Sequence, residues 1–289
     1  MPEIGVVGTL GGWSSEKLAD TLKEKTGYRL LIDPGKVRLD LATGSAWYED
    51  TDLSKLDALM IKKVGTRYSA WLLDRLEMLR FLNERGVKMY SPPLSIMRVL
   101  DRLSCTVTLR NGGIPMPETT ITEDTDEALR AVGIYGEAVF KPLYSTKARG
   151  MIVICSGPDA RRQIEAFRQE NTFMYIQKKL DLGGQDLGVA FMGGKYLTTY
   201  ARCGDGSSWN TTTRSGGKYK PYAPSQETID LAQKAQALFG LDFTCVDVAE
   251  TREGPVVFEV SAFGGFRGIQ TASGLDAAEL YVDYVLEKV

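Results

Sequence analysis

Apolar residues follow two periods along this chain, and the switches between them mark its elements. Ile4-Gly5-Val6-Val7 is a short apolar run that a glycine turn closes, the pattern of a strand. A helix is predicted from about Ser14 to Lys25, where Ser14 or Ser15 can cap it by accepting backbone N–H bonds. A second apolar run spans Leu56 to Val64, and an amphipathic helix follows from about Tyr68 to Glu84, stopping at Arg85-Gly86. Val87 to Tyr90 reads as another short strand. Strands alternating with helices predict a parallel α/β unit over residues 1–94.

Ser91-Pro92-Pro93 breaks both helix and central strand, so it marks a boundary. Beyond it the pattern predicts a helix from about Ser95 to Arg110, ended by Gly112-Gly113, and a shorter one around Thr125 to Val132. Glu137 to Lys141 and Gly150 to Cys155 read as strands joined by a charged loop; Asp159 to Gln169 is helical and Phe173 to Lys178 extended. The chain is then strand-rich up to a helix from Ser225 to Phe239. No repeat or low-complexity segment interrupts it. This divides the chain into units at 1–94, 95–178 and 179–289.

The strongest local signal lies near the end. Cys245 to Ala249, a turn around Glu253-Gly254, and Val256 to Ser261 form a hairpin pattern. With the turn centred near Glu253, Asp247 falls opposite Glu259. Strand alternation then puts Asp247, Glu259 and Ser261 on one face, with Val246, Val248, Phe258 and Val260 on the other. Opposed like charges at about 5.5 Å between Cβ atoms destabilise a hairpin. A divalent cation between them reverses that sign, and all-oxygen ligands suit magnesium or manganese. An exposed hairpin with two solvated acids fits the same pattern.

Composition narrows the chemistry. The 289 residues contain no histidine, which removes Ser-His-Asp and Cys-His catalysis and most zinc sites. The net charge of −2 carries no basic excess, so nucleic acid is not an expected partner. There is no apolar run of membrane-spanning length and no export signal at the start, which points away from a membrane and to the cytoplasm. Cys105, Cys155, Cys203 and Cys245 are far apart, as expected of reduced thiols buried as small apolar groups.

The loop from Tyr144 to Gly150, with Lys141, Lys147 and Arg149, can aim backbone N–H groups and charge at an anion, or be solvated. It is not a P-loop. Gly8 to Gly12 sits between strand and helix without G-x-G-x-x-G, and reads as a structural turn. Arg202, the pair Asn210 and Arg214 before Ser215-Gly216-Gly217, and Arg267 beside the hairpin can serve phosphate or carboxylate recognition.

In their order these segments resemble the ATP-grasp superfamily, and their ending is closest to the RimK-like glutamate ligases. The resemblance is carried by Asn111 to Thr119, Val139-Phe140-Lys141-Pro142, Ile176 to Leu180, Asn210 with Arg214 to Gly217, Cys245 to Val248, Phe258 to Ser261, and Gly268-Ile269-Gln270 through Asp276. It covers roughly two-thirds of the chain, from about Met97 on, while the first unit fits the α/β domain that precedes this fold.

It implies an α+β ATP-grasp fold in which two α+β lobes clamp ATP, preceded by an α/β domain. Lys141 and Lys147 would contact the phosphates, Gln177, Lys178, Lys179 and Leu180 would frame the adenine, and Asp186 would join the nucleotide site. Asp247, Glu259 and Ser261 would hold magnesium. Arg202, Asn210 and Arg214 would face the γ-phosphate and the acyl phosphate formed from it, and Arg267 the substrate. The implied activity is an ATP-dependent carboxylate–amine ligase, including glutamate ligation, acting on small-molecule or peptide acids and amines. Homo-oligomer formation is compatible with it.

The chain departs from the family pattern at four places. Ser261 replaces an asparagine ligand, Arg102 a phosphate-binding lysine and Lys178 an acidic hinge residue, and the phosphate loop has fewer glycines. Ser261 and Lys178 favour a rival, a degenerate module that binds nucleotide or a partner without ligation; the Asp247/Glu259 pair opposes it. A nicotinamide-binding oxidoreductase finds no support in the glycine pattern. Lys62 and Lys63, at a strand end of the first unit, point weakly to an anionic substrate.

Overall fold

The computed structural model describes all 289 residues. The first unit is a parallel sheet in the order Leu31–Ile32, Ile4–Val7, Ala58–Ile61, Lys88–Tyr90. Every residue of its two central strands is buried, which is why they read as continuous apolar runs. Alternation sends Ile4, Val6, Ala58 and Met60 to one face, packed on Leu18 and Leu22 of the helix Trp13–Thr26. Val7, Leu59 and Ile61 face the other way, onto Leu72, Leu76 and Leu79 of the helix Trp71–Glu84. Three short strands, Arg38–Asp40, Ser45–Tyr48 and Thr51–Asp52, form a small antiparallel sheet. The Ser14/Ser15 cap does not form: Gly12 occupies the cap position, and Ser15 Oγ accepts the Thr9 N–H at 3.1 Å instead.

The helix expected from Ser95 to Arg110 is two helices, Pro93–Leu100 and Arg102–Asn111. Between them the Asp101 carboxylate accepts the N–H groups of Leu103 and Ser104, capping the second helix. The break sets Arg102 on the first turn of that helix, beside the cleft. Next comes an antiparallel sheet in the order Ile152–Cys155, Glu137–Lys141, Met174–Lys178, Thr119–Thr122. The helices Thr125–Tyr135 and Ala160–Glu170 close a separate core on it, around Phe140, Ile164 and Ile176.

The last sheet is antiparallel and five-stranded: Lys218–Pro221, Lys195–Cys203, Gln185–Met192, Phe243–Thr251, Gly254–Ser261. Val246, Val248 and Val257 bury against the helix Gln226–Ala237 in the same core as Val7 and Leu59. Phe243 and Cys245 face the helices Phe266–Ser273 and Ala277–Leu286 in the same core as Ile4 and Val6. The first and last sheets thus share two continuous cores, and the central sheet stands over them with its own.

Asp247 does pair with Glu259, but a bulge follows: Val248 pairs with Val257, and Phe258 is the extra residue. Phe258 therefore leaves the apolar face predicted for it and lines the cleft.

Candidate active site

The cleft between the central and last sheets has a volume of about 320 Å³. On its floor Asp247 and Glu259 lie opposite each other, as strand pairing requires. Each leans on an arginine. Arg202 Nη2 lies 3.0 Å from Asp247 Oδ1, and Arg102 Nη1 donates to Glu259 Oε2 at 3.0 Å. Arg202 is held in turn by Asp186, whose two oxygens accept its Nε at 3.1 Å, while Thr211 Oγ1 donates to Asp186 at 2.5 Å. Burial drives the Asp247 carboxyl pKa upward; Arg202 opposes that shift, and the charges of Glu259 and Asp186 add to it. Arg102 also donates to the carbonyls of Pro142 and Ser145, at 3.2 and 3.3 Å, so it ties the lysine loop to Glu259.

The opposite wall carries Lys141. Its ammonium donates to Gln177 Oε1 at 2.5 Å and lies 5.2 Å from the centre of the Phe258 ring. Burial first, then the nearby Arg102 charge, lowers its pKa to about 7, against the pull of Glu259 and Asp247. Val139, Met151, Leu180 and Leu182 supply an apolar end. The N–H groups of Lys178 and Lys179 bond to the carbonyls of Glu118 and Glu137, whereas that of Leu180 makes no bond within the chain. In the loop between the strands, Lys147 and Ala148 both have positive φ, 56° and 55°, an uncommon backbone that turns the loop sharply.

The donor set fits magnesium. Asp247 and Glu259 each keep one oxygen that accepts nothing in the chain, and the Ser261 hydroxyl lies two residues farther along the same strand, facing the same cleft. Two opposed carboxylates with one neutral oxygen form a hard, all-oxygen set. Residues 99–285 match the RimK-like ATP-grasp domain family.

The chain belongs to the RimK-like ATP-grasp family.

Relatives of this RimK-like chain match most of its length. It is 25% identical to the tetrahydromethanopterin:alpha-L-glutamate ligase of Methanosarcina acetivorans, over 94% of this chain and 95% of that one. It is 28% identical to a probable alpha-L-glutamate ligase of Trichodesmium erythraeum, over 83% and 80%. Among solved structures, the ATP-grasp ligase PsnB in complex with its minimal precursor superposes with a TM-score of 0.76 at 18% identity, covering 100% of this chain and 99% of PsnB. A RimK domain protein of Sphaerobacter thermophilus gives 0.75 at 20% identity, over 98% of each chain. PsnB has also been solved with magnesium and ADP. The fold is therefore ATP-grasp.

Most of the residues singled out in the sequence line the RimK-like cleft: Arg102, Lys141, Lys147, Gln177 to Leu180, Asp186, Arg202, Asn210, Asp247, Glu259 and Ser261. Arg214 and Arg267 do not. Arg214 is exposed on the turn Thr213–Ser215, and the Arg267 guanidinium sits 5.1 Å from the Trp13 ring on the outer surface. Asp186 lies on the cleft wall, but its hydrogen bonds go to Arg202 and Thr211. The side chains of Lys178 and Lys179 pair with Glu118 and Glu137.

Lys62 is not free to meet a substrate. Its buried ammonium donates to the carbonyls of Phe263 and Gly264, at 3.0 and 2.9 Å, and sits 3.7 Å from the Phe266 ring. It pins the loop after Ser261 to the first unit. Beside that loop Gly265 and Gly188 pack on Tyr200, where a Cβ on either would fall 2.3–2.4 Å from the ring or hydroxyl. The thiols are mixed: Cys105 and Cys245 are buried as expected, but Cys203 is half-buried and Cys155 exposed. No helix is long and apolar enough to cross a membrane.

Sequence reasoning missed Tyr68, Trp209, Phe258 and Phe263, all on the cleft wall. The helix expected from Tyr68 begins at Trp71, which leaves Tyr68 on the loop before it, and Phe258 reaches the cleft only through the bulge.

Proposed function

We propose that this RimK-like enzyme, an ATP-dependent carboxylate–amine ligase, joins the amino group of glutamate to an acid that it first activates as an acyl phosphate. The opposed Asp247/Glu259 pair facing Lys141 across one cleft carries the activation of the acid, and the relatives named alpha-L-glutamate ligases support glutamate as the amine. Lys141, Lys147 and Arg102 bind the phosphates, and the Gln177–Leu180 segment with the unbonded Leu180 N–H holds the adenine. Asp247, Glu259 and Ser261 hold magnesium, or manganese in its place. The ion supplies neutralisation of phosphate charge.

Arg202 and Asn210 face the transferring group. A carboxylate oxygen of the acid bonds to the γ-phosphorus as the bond to ADP breaks. The amine nitrogen then bonds to the acyl carbon, phosphate leaves with one former carboxylate oxygen, and the amine proton passes to solvent. With no histidine in the chain, the protein acts by position and charge. Asp186 serves by fixing Arg202 in place before substrate arrives. The acid is a small molecule or a peptide terminus, and the setting is the cytoplasm.

An acid labelled with ¹⁸O at its carboxylate tests the route. With Mg-ATP, glutamate and a panel of small acids and peptides, one label per turnover should appear in inorganic phosphate. Amide formed with unlabelled phosphate would remove the acyl phosphate.

A further inference from the structure

Lys63 differs from Lys62 in the way that matters for a ligand. It follows the strand Ala58–Ile61, and its side chain lines the cleft. Its ammonium lies 5.2 Å from the Phe263 ring centre and makes no hydrogen bond or ion pair in the chain. Burial first, and then the positive charge of Lys147, lowers its pKa to about 8. The Lys63 ammonium thus lines the cleft without a carboxylate partner of its own and feels the positive charge of Lys147, an arrangement that costs free energy until an anion enters.

Five residues on, Tyr68 adds a second donor. It lines both the cleft and a smaller cavity of about 60 Å³ behind Glu259. Its hydroxyl has no hydrogen-bond partner in the chain and faces the cleft. A phenol is protonated near neutral pH and can donate. Both residues come from the first unit, outside the segment matched as the ATP-grasp domain. Arg102 and Lys141 already have partners, in Glu259 and Gln177.

We propose that Lys63 and Tyr68 form a carboxylate subsite that holds the glutamate substrate by a carboxylate the reaction leaves unchanged. One ammonium and one hydroxyl are the donors that an ionised carboxylate accepts from. Loop Phe263-Gly264 supports the subsite from beneath, because Phe263 backs Lys63 while Lys62 fixes its carbonyl. The inference rests on the ligase assignment, and its test separates the two.

The full-length protein is first loaded with Mg-ADP, whose affinity is measured, and then titrated with L-glutamate by calorimetry. Lys63→Met is expected to weaken glutamate binding at least tenfold, and Tyr68→Phe about threefold to tenfold. Both variants should bind Mg-ADP as the wild type does, and Lys63→Arg should recover most of the glutamate affinity. Unchanged glutamate binding in Lys63→Met would overturn the subsite, as would wild-type protein that binds Mg-ADP but not glutamate. Weakened Mg-ADP binding in Lys63→Met would also overturn it, because Lys63 would then belong to the phosphates. Failure of the wild type to bind Mg-ADP at all would instead remove the ligase assignment beneath it.

Discussion

Asp247→Asn is expected to lower kcat for Mg-ATP-dependent ADP formation by about 10³-fold or more, and Glu259→Gln to do the same. Each change removes one of only two charged oxygen ligands on the cleft floor, which is worth several kcal/mol of transition-state charge stabilisation. For Asp247→Asn stability should be nearly untouched. Asp247 is buried beside Glu259 and Asp186, so its charge is disfavoured there, and Arg202 keeps Asp186 as partner after the change. Melting temperatures within a few degrees of wild type would confirm that function, not folding, was lost. Wild-type turnover in both variants would take this pair out of the mechanism.

Arg202→Met is expected to be the most destabilising single change in the site. It strips the counter-charge from two carboxylates at once, with side chains only 11% and 18% exposed. Breaking a buried pair in this way costs about 3–5 kcal/mol. For a chain of this size that lowers the melting temperature by roughly 5–15 °C. The loss should depend on pH with a definite sign. Without Arg202 the carboxyl pKa of Asp247 rises farther in the folded state, while its unfolded value does not change. The folded variant then binds protons that the unfolded chain does not, so its stability falls as pH rises. Melting curves at pH 5 and pH 8 should show the gap to wild type widening at pH 8; a constant gap would mean that Arg202 acts by packing alone.

Strand pairing was the most legible part of the site. A turn centred on Glu253 places Asp247 opposite Glu259, and the two do pair, but by compensation: the turn lies half a residue earlier, with Thr251 opposite Gly254, and the extra residue Phe258 restores the register. The bulge was not legible: Val257 and Phe258 are both apolar, and only packing against the helix Gln226–Ala237 decides which of them turns inward. The break at Asp101 shows a different limit. The run from Ser95 to Arg110 has helical composition throughout, and one capping carboxylate divides it. Lys62 and Lys63 are adjacent and identical in type, yet one is buried as a backbone clamp and the other faces the cleft. Consecutive side chains leave a strand end in opposite directions, but which side holds the cleft depends on a loop some 200 residues away. The small sheet around Ser45–Tyr48 is not legible because its strands are short and, unlike Ile4–Val7, mix polar with apolar residues, so no apolar run marks them.

Trapping the activated acid with hydroxylamine tests the central claim most directly. Wild-type protein, Mg-ATP, hydroxylamine and a broad panel of acids (small acids, peptides and cell extract) should yield a hydroxamate with matching ADP. Glu259→Gln should yield neither. Wild-type protein that binds Mg-ATP yet forms no hydroxamate and no ADP across that panel would contradict carboxylate activation at this cleft.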